Sequence, residues 1–103
     1  MIYDTITKTP AESFVIGVDF SGVLDRSETI TVGNSSYTIT DIQFPTANDM
    51  VAQSDTLTTN ASKKSLLGRV SGGLDGREYI VRFLAGTSAN NIFEHNIKIK
   101  VSN

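Results

Sequence analysis

Two stretches of this chain carry large, mostly apolar residues at every second position, and that spacing admits only one kind of element. In Phe14-Val15-Ile16-Gly17-Val18-Asp19-Phe20, the residues Phe14, Ile16, Val18 and Phe20 share one face, with Gly17 and Asp19 on the other. In Phe93–Val101, Phe93, His95, Ile97, Ile99 and Val101 share a face opposite Glu94, Asn96, Lys98 and Lys100. A period of two belongs to a strand with one side on a core and one in water; a helix would scatter the same residues around its axis. Tyr79-Ile80-Val81-Arg82-Phe83-Leu84 repeats the pattern, with Tyr79, Val81 and Phe83 inward.

The middle of the chain is less regular. Glu28–Val32 and Ser36–Phe44 read as strands, but Ile42 and Phe44 break the phase set by Tyr37 and Ile39. That slip predicts a β-bulge or strand switch near Thr40-Asp41. Residues 46–62 are polar apart from Met50-Val51 and predict a loop with a weak edge strand around Asp55–Thr59. Ser65–Ser71 is a further strand with Leu66 and Val70 inward, and the only helical candidate is a turn near Ser21–Ser27. Turn signals at Gly33-Asn34, Ser71-Gly72-Gly73, Asp75-Gly76 and Gly86–Asn91 punctuate about seven strands. Residues 1–9 form an N-terminal arm or edge strand, with Pro10 suited to an edge or kink. Residues 10–103 form one domain.

One corner adds topology. Tyr79 opens its strand, with Gly76 three residues before it and Leu74 five before it. This is the layout of a tyrosine corner, in which the phenol folds back to backbone upstream. Together these features predict an all-β, immunoglobulin-like (fibronectin III-like) antiparallel β-sandwich of about seven strands. An antibody-type domain is excluded, because the chain has no Cys and no Trp.

Composition narrows the chemistry. The 103 residues suit one domain with a core of its own. The lack of Cys removes disulfide scaffolds, thiol nucleophiles and thiolate metal sites. A net charge of −2 gives no electrostatic reason to expect nucleic acid. The N-terminus lacks the basic and apolar regions of a secretory signal, and no window is apolar enough to span a membrane.

The chemistry-bearing residues do not assemble into a motif. His95 is the sole histidine and sits on an inward phase without the partners a general base or metal site needs, so it reads as a core-edge residue. Asp19, Asp25 and Glu28 are close in sequence but lack the ligand spacing of a calcium loop; they read as a solvated strand end. Ser71-Gly72-Gly73 is followed by neither Lys-Ser/Thr nor a helix. Lys63, Lys64 and Arg69 form a short basic patch without interleaved aromatics, again a solvated strand end. No catalytic, cofactor-binding or metal-ligating residue is assigned.

The order of short motifs resembles a known family. Lys8-Thr9-Pro10-Ala11-Glu12, then the strand Phe14–Phe20 closing on Asp19-Phe20-Ser21, then Thr29-Ile30, Val70-Ser71-Gly72-Gly73, Gly76, Tyr79, Val81 and Ile97–Val101 are similar to the small phage and prophage virion proteins known as fiber–tail adaptor or related head–tail structural proteins. The resemblance covers nearly the whole chain except 46–64, which is longer and more polar here. A Trp usual in the second major strand is replaced, with Tyr37 the residue in its place. The resemblance implies an immunoglobulin-like fold and a non-enzymatic structural or adaptor role. It further implies assembly in the host cytoplasm, a final place in a prophage-encoded virion, and no export by signal peptide. The expected partners are other virion proteins or further copies of the chain, with no cofactor, nucleic acid or membrane. The alternative from the residues is a bacterial adhesion or carbohydrate-binding module of the same fold.

If Tyr79, Val81 and Phe83 face the core, Ile80 and Leu84 face outward and flank Arg82. Two aliphatics beside an Arg on an outer sheet face make Ile80, Arg82 and Leu84 the candidate interface. A flexible Asp49–Ser62 segment or the residues before Pro10 would add to it.

Overall fold

The computed structural model describes residues 4–44, 50 and 52–103. Its strands are β1 (Asp4–Lys8), β2 (Ser13–Asp19), β3 (Ser36–Asp41), β4 (Thr58–Thr59), β5 (Ser65–Ser71), β6 (Glu78–Gly86) and β7 (Ile92–Val101). Single 3-10 turns lie at Val32–Asn34 and Ser54–Thr56, and no α-helix occurs among the described residues. One sheet has the order β1-β7-β6-β3 and the other β2-β5-β4. Alternation decides which side chains meet between them. Ile16, Val18, Leu66 and Val70 from one sheet join Tyr37, Tyr79, Val81, Phe83, Ile97 and Ile99 from the other in a single apolar core. The molecule is thus a β-sandwich. No helix among the described residues is long and apolar enough to cross a membrane.

Several expectations need correction. Of the two alternatives for the N-terminal segment, arm or edge strand, Asp4–Lys8 take the second, but they pair in parallel with β7, from Asp4 opposite Ile97 to Lys8 opposite Val101. The sandwich is therefore mixed rather than wholly antiparallel; Met1–Tyr3 lie outside the described residues. Glu28–Val32 is not a strand. Its backbone spans the gap between the sheets, with the Ile30 N–H donating to Lys63 O at 2.9 Å and the Thr31 N–H to Gly86 O at 2.8 Å. Only the isolated bridge between Ile30 and Thr87 remains of ladder geometry there.

The phase slip at Thr40-Asp41 has another cause than a bulge. β3 simply ends at Asp41, which keeps the inward phase of Tyr37 and is 1% exposed. Its Oδ1 accepts the Gln43 and Phe44 N–H groups at 2.9 and 3.0 Å, an Asx-type turn that swings Ile42 and Phe44 outward. The weak edge strand shrinks to Thr58–Thr59 against Leu66 and Leu67 of β5. Part of the segment before it is tied down: the Gln53 N–H donates to the Tyr37 hydroxyl at 2.8 Å, and Met50 is buried in the core.

Three charged side chains act as fasteners inside this frame. Lys8 is 1% exposed, and its ammonium donates to Gly72 O at 2.6 Å and Thr9 O at 2.7 Å. Burial lowers its pKa, against a smaller opposing pull from Glu12. Glu12 itself closes the turn after β1, its Oε1 accepting the Thr9 N–H at 2.6 Å. The run Lys8-Thr9-Pro10-Ala11-Glu12 is therefore a strand-end clasp. Lys64 is no solvated cation either, since its ammonium donates to the carbonyls of Asp25, Arg26 and Glu28.

Candidate interaction surface

β6 is the central strand on which the candidate residues stand. Tyr79, Val81, Phe83 and Ala85 are buried, so Ile80, Arg82 and Leu84 occupy the opposite face, as the pleat requires. Their neighbours across the ladders are fixed by register. Ile80 lies between Thr40 and Lys98, Arg82 between Thr38 and Asn96, and Leu84 between Ser36 and Glu94. Arg82 forms an ion pair with Glu94 at 2.9 Å, and Lys98 pairs with Glu78 at 3.2 Å. Both pairs are substantially exposed and contribute little to stability. Their long side chains lie beside the aliphatics, and Ile80 and Leu84 are half-buried rather than open. The face is a charged lattice over an apolar floor.

The corner sits at the start of β6. Tyr79 is 1% exposed, and its hydroxyl accepts the Leu74 N–H at 3.0 Å. Gly76 has a φ of 85°, a left-handed conformation that suits glycine, and its N–H donates to Val101 O at 2.8 Å. The turn is thereby stitched to both β6 and β7. Leu74 itself is 46% exposed. The adjoining Arg77 donates to Asp41 Oδ2 at 2.8 Å and lies 4.1 Å from the Phe44 ring centroid, a cation–π arrangement. Burial raises the pKa of Asp41, but hydrogen bonds from Arg77, Phe44 and Gln43 outweigh it and hold the carboxyl below its ordinary value.

At the opposite end of the strands the three acids do not converge. Glu28 is 4% exposed and accepts from the Asp25 N–H at 3.0 Å, the Thr87 hydroxyl at 2.5 Å and the Asn91 amide at 2.9 Å. The Thr87 hydroxyl, then the Asp25 N–H and Asn91 amide, hold its carboxyl below the ordinary glutamate range. Glu28 is thus a buried tie between the loop after β2 and the β6–β7 hairpin, not a solvated strand end. Asp19 instead accepts the Ser21 N–H at 2.9 Å, and Asp25 is exposed. No group of three or more His, Cys, Asp or Glu among the described residues could hold a metal ion. His95 is half-buried and lines a shallow groove with Val18, Phe20, Val23 and Phe93.

Sequence reasoning missed the residues that clamp the two ends, Lys8, Glu28, Asp41 and Lys64, and the Phe44–Arg77 stack. The only local signal was the Lys8–Glu12 motif, whose spacing sets the clasp.

The comparisons with known proteins decide the class. The family described as podophage GP4 fiber-tail adaptor protein gp77 matches residues 8–100, nearly the whole sandwich. The chain belongs to this family. It is a phage structural adaptor protein and a virion component by membership, as the short motifs from Lys8 to Val101 had implied. The matched span begins at Lys8 and so includes the clasp, the whole of β2 through β6, and most of β7. No match is found among curated proteins or among solved structures.

Proposed function

We propose that this fiber-tail adaptor family member is a non-enzymatic virion subunit that links fiber to tail through protein–protein contacts. The observation that carries the reading is the family match over residues 8–100. The outer face of β6, with Ile80 and Leu84 around the Arg82–Glu94 pair, is the surface assigned to a neighbouring virion protein, because mixed apolar and Arg-bearing faces favour interfaces. The corner of Leu74, Gly76 and Tyr79 is structural support for that strand rather than a contact. In this reading residues 10–103 are one immunoglobulin-like domain with an N-terminal edge strand. The strand orders β1-β7-β6-β3 and β2-β5-β4 support the fold assignment. The chain is prophage-encoded, assembles in the host cytoplasm and ends in the particle, without nucleic-acid, membrane or cofactor partners. The test is a phage lacking this gene, complemented by the chain in trans. Tails without fibers in the mutant, restored by the chain, are expected; fibers at parental occupancy in its absence would overturn the proposal.

A further inference from the structure

We propose that the open edge of β2 is a homotypic interface, where two copies pair β2 against β2 antiparallel about a twofold axis at Ile16. β2 lies at the end of its sheet, bonded to β5 on one side, and no other strand among the described residues pairs with it. The Phe20 N–H donates to Lys64 O at 2.9 Å. By the alternation of an antiparallel ladder, Val18, Ile16 and Phe14 then also direct their backbone groups toward β5. The amides and carbonyls of Ser13, Val15, Gly17 and Asp19 point out of the sheet instead. All four residues are exposed, Val15 to 50%. Natural edges are usually blocked by Lys, Pro, bulges or short length; this one is seven residues long and contains neither Lys nor Pro. Its register with β5 is unbroken.

The occupant that fits this edge is a second copy. In the register centred on Ile16, Ser13 faces Asp19 of the second copy, Phe14 faces Val18, Val15 faces Gly17, and Ile16 faces Ile16. The parity is correct, because Ser13, Val15, Gly17 and Asp19, whose backbone groups are outward, meet one another. The charges also match. Arg69 Nη1 donates to Ser13 Oγ at 3.1 Å, so a guanidinium already stands where Asp19 of the second copy arrives. The twofold axis makes that contact twice. On the exposed face each Val15 meets a glycine, so no bulky pair opposes there.

Sedimentation of the purified full chain over a concentration series tests this. The parent is expected to dimerise. Val15→Pro removes an N–H that the β2–β5 ladder does not use, and edge strands tolerate proline there. It should leave the circular dichroism spectrum unchanged and weaken dimerisation by about tenfold or more, since the symmetry removes each bond twice. Asp19→Arg should weaken dimerisation as well, by setting like charges together, and Arg69→Asp in the same chain should restore it. This charge pair keeps the test valid if Val15→Pro disturbs folding. A parent that stays monomeric throughout, or a dimer that neither Val15→Pro nor Asp19→Arg weakens, would overturn the proposal.

Discussion

The ring of Tyr37 occupies the space that a side chain on Gly68 would need. A methyl group at Gly68 would stand 2.9 Å from Tyr37 Cζ, with both Cε atoms within 3.1 Å. Tyr37 belongs to β3 of one sheet and Gly68 to β5 of the other, so one phenol bridges the sandwich. Its hydroxyl accepts the Gln53 N–H and lies 2.8 Å from Arg69 O, while its ring stacks on Phe83 with centroids 5.3 Å apart. Gly68→Ala should destabilise by about 1–3 kcal/mol through overpacking. The loss should be smaller in a Tyr37→Leu background. Additive urea midpoints across the double-mutant cycle would contradict the contact.

Tyr79→Phe leaves the Leu74 N–H without its phenol acceptor. Tyr79 is 1% exposed, and a donor stranded against its ring costs about 1–3 kcal/mol. Denaturant midpoints at fixed slope are the readout; coincidence of mutant and parent would show that the hydrogen bond adds nothing to stability.

Acid should loosen the fold through its paired carboxylates. Glu28 and Asp41 are both held below their ordinary values of 4.5 and 3.8. A depressed folded-state pKa means that the unfolded chain takes up protons first, so the stabilisation is present above the ordinary value and lost as pH falls through the folded one. The melting temperature should be flat near neutral pH and fall once the solution drops below 4.5. Glu28→Gln should flatten part of that acid limb. An unchanged limb in the variant would remove Glu28 from the account.

Ile80→Asp with Leu84→Asp places two carboxylates on the outer face of β6, beside Glu94 and Glu78 but outside the core. The double variant should remain folded and soluble, because neither side chain belongs to the buried cluster. Incorporation into particles should fall roughly tenfold or more, as for loss of a central interface contact. Particle-associated chain measured at the parental level would clear this face of an assembly role.

How much of this could be read from residues alone depends on the range of the interactions. The inward sets of β2, β6 and β7 follow from alternation, a local property, and so does the outward side of Ile80, Arg82 and Leu84. The fasteners are not local. Lys8 meets Gly72 and Glu28 meets Thr87 across most of the chain, and a lysine or glutamate is ordinarily assigned to solvent. Glu28–Val32 is a connector because its amides reach Lys63 in the turn before β5 and Gly86 at the end of β6, which no propensity encodes. Asp41 misled through its type: a polar residue in an inward phase looked like a slipped register. The pairing of β1 with β7 depends on residues at opposite ends of the chain coming together, and alternation gives no partner.

That pairing has a mechanical consequence. β1 and β7 run in the same direction over five residue pairs, from Asp4–Ile97 to Lys8–Val101. A tension that draws the leading end of β1 one way and the trailing end of β7 the other runs along both strands, at right angles to most of the bonding between them. The load then falls on the whole ladder together instead of peeling it rung by rung, and the clasp of Lys8 on Gly72 resists the same slip. In the proposed role as a link between fiber and tail, a pull applied at those two strand ends would be met in shear.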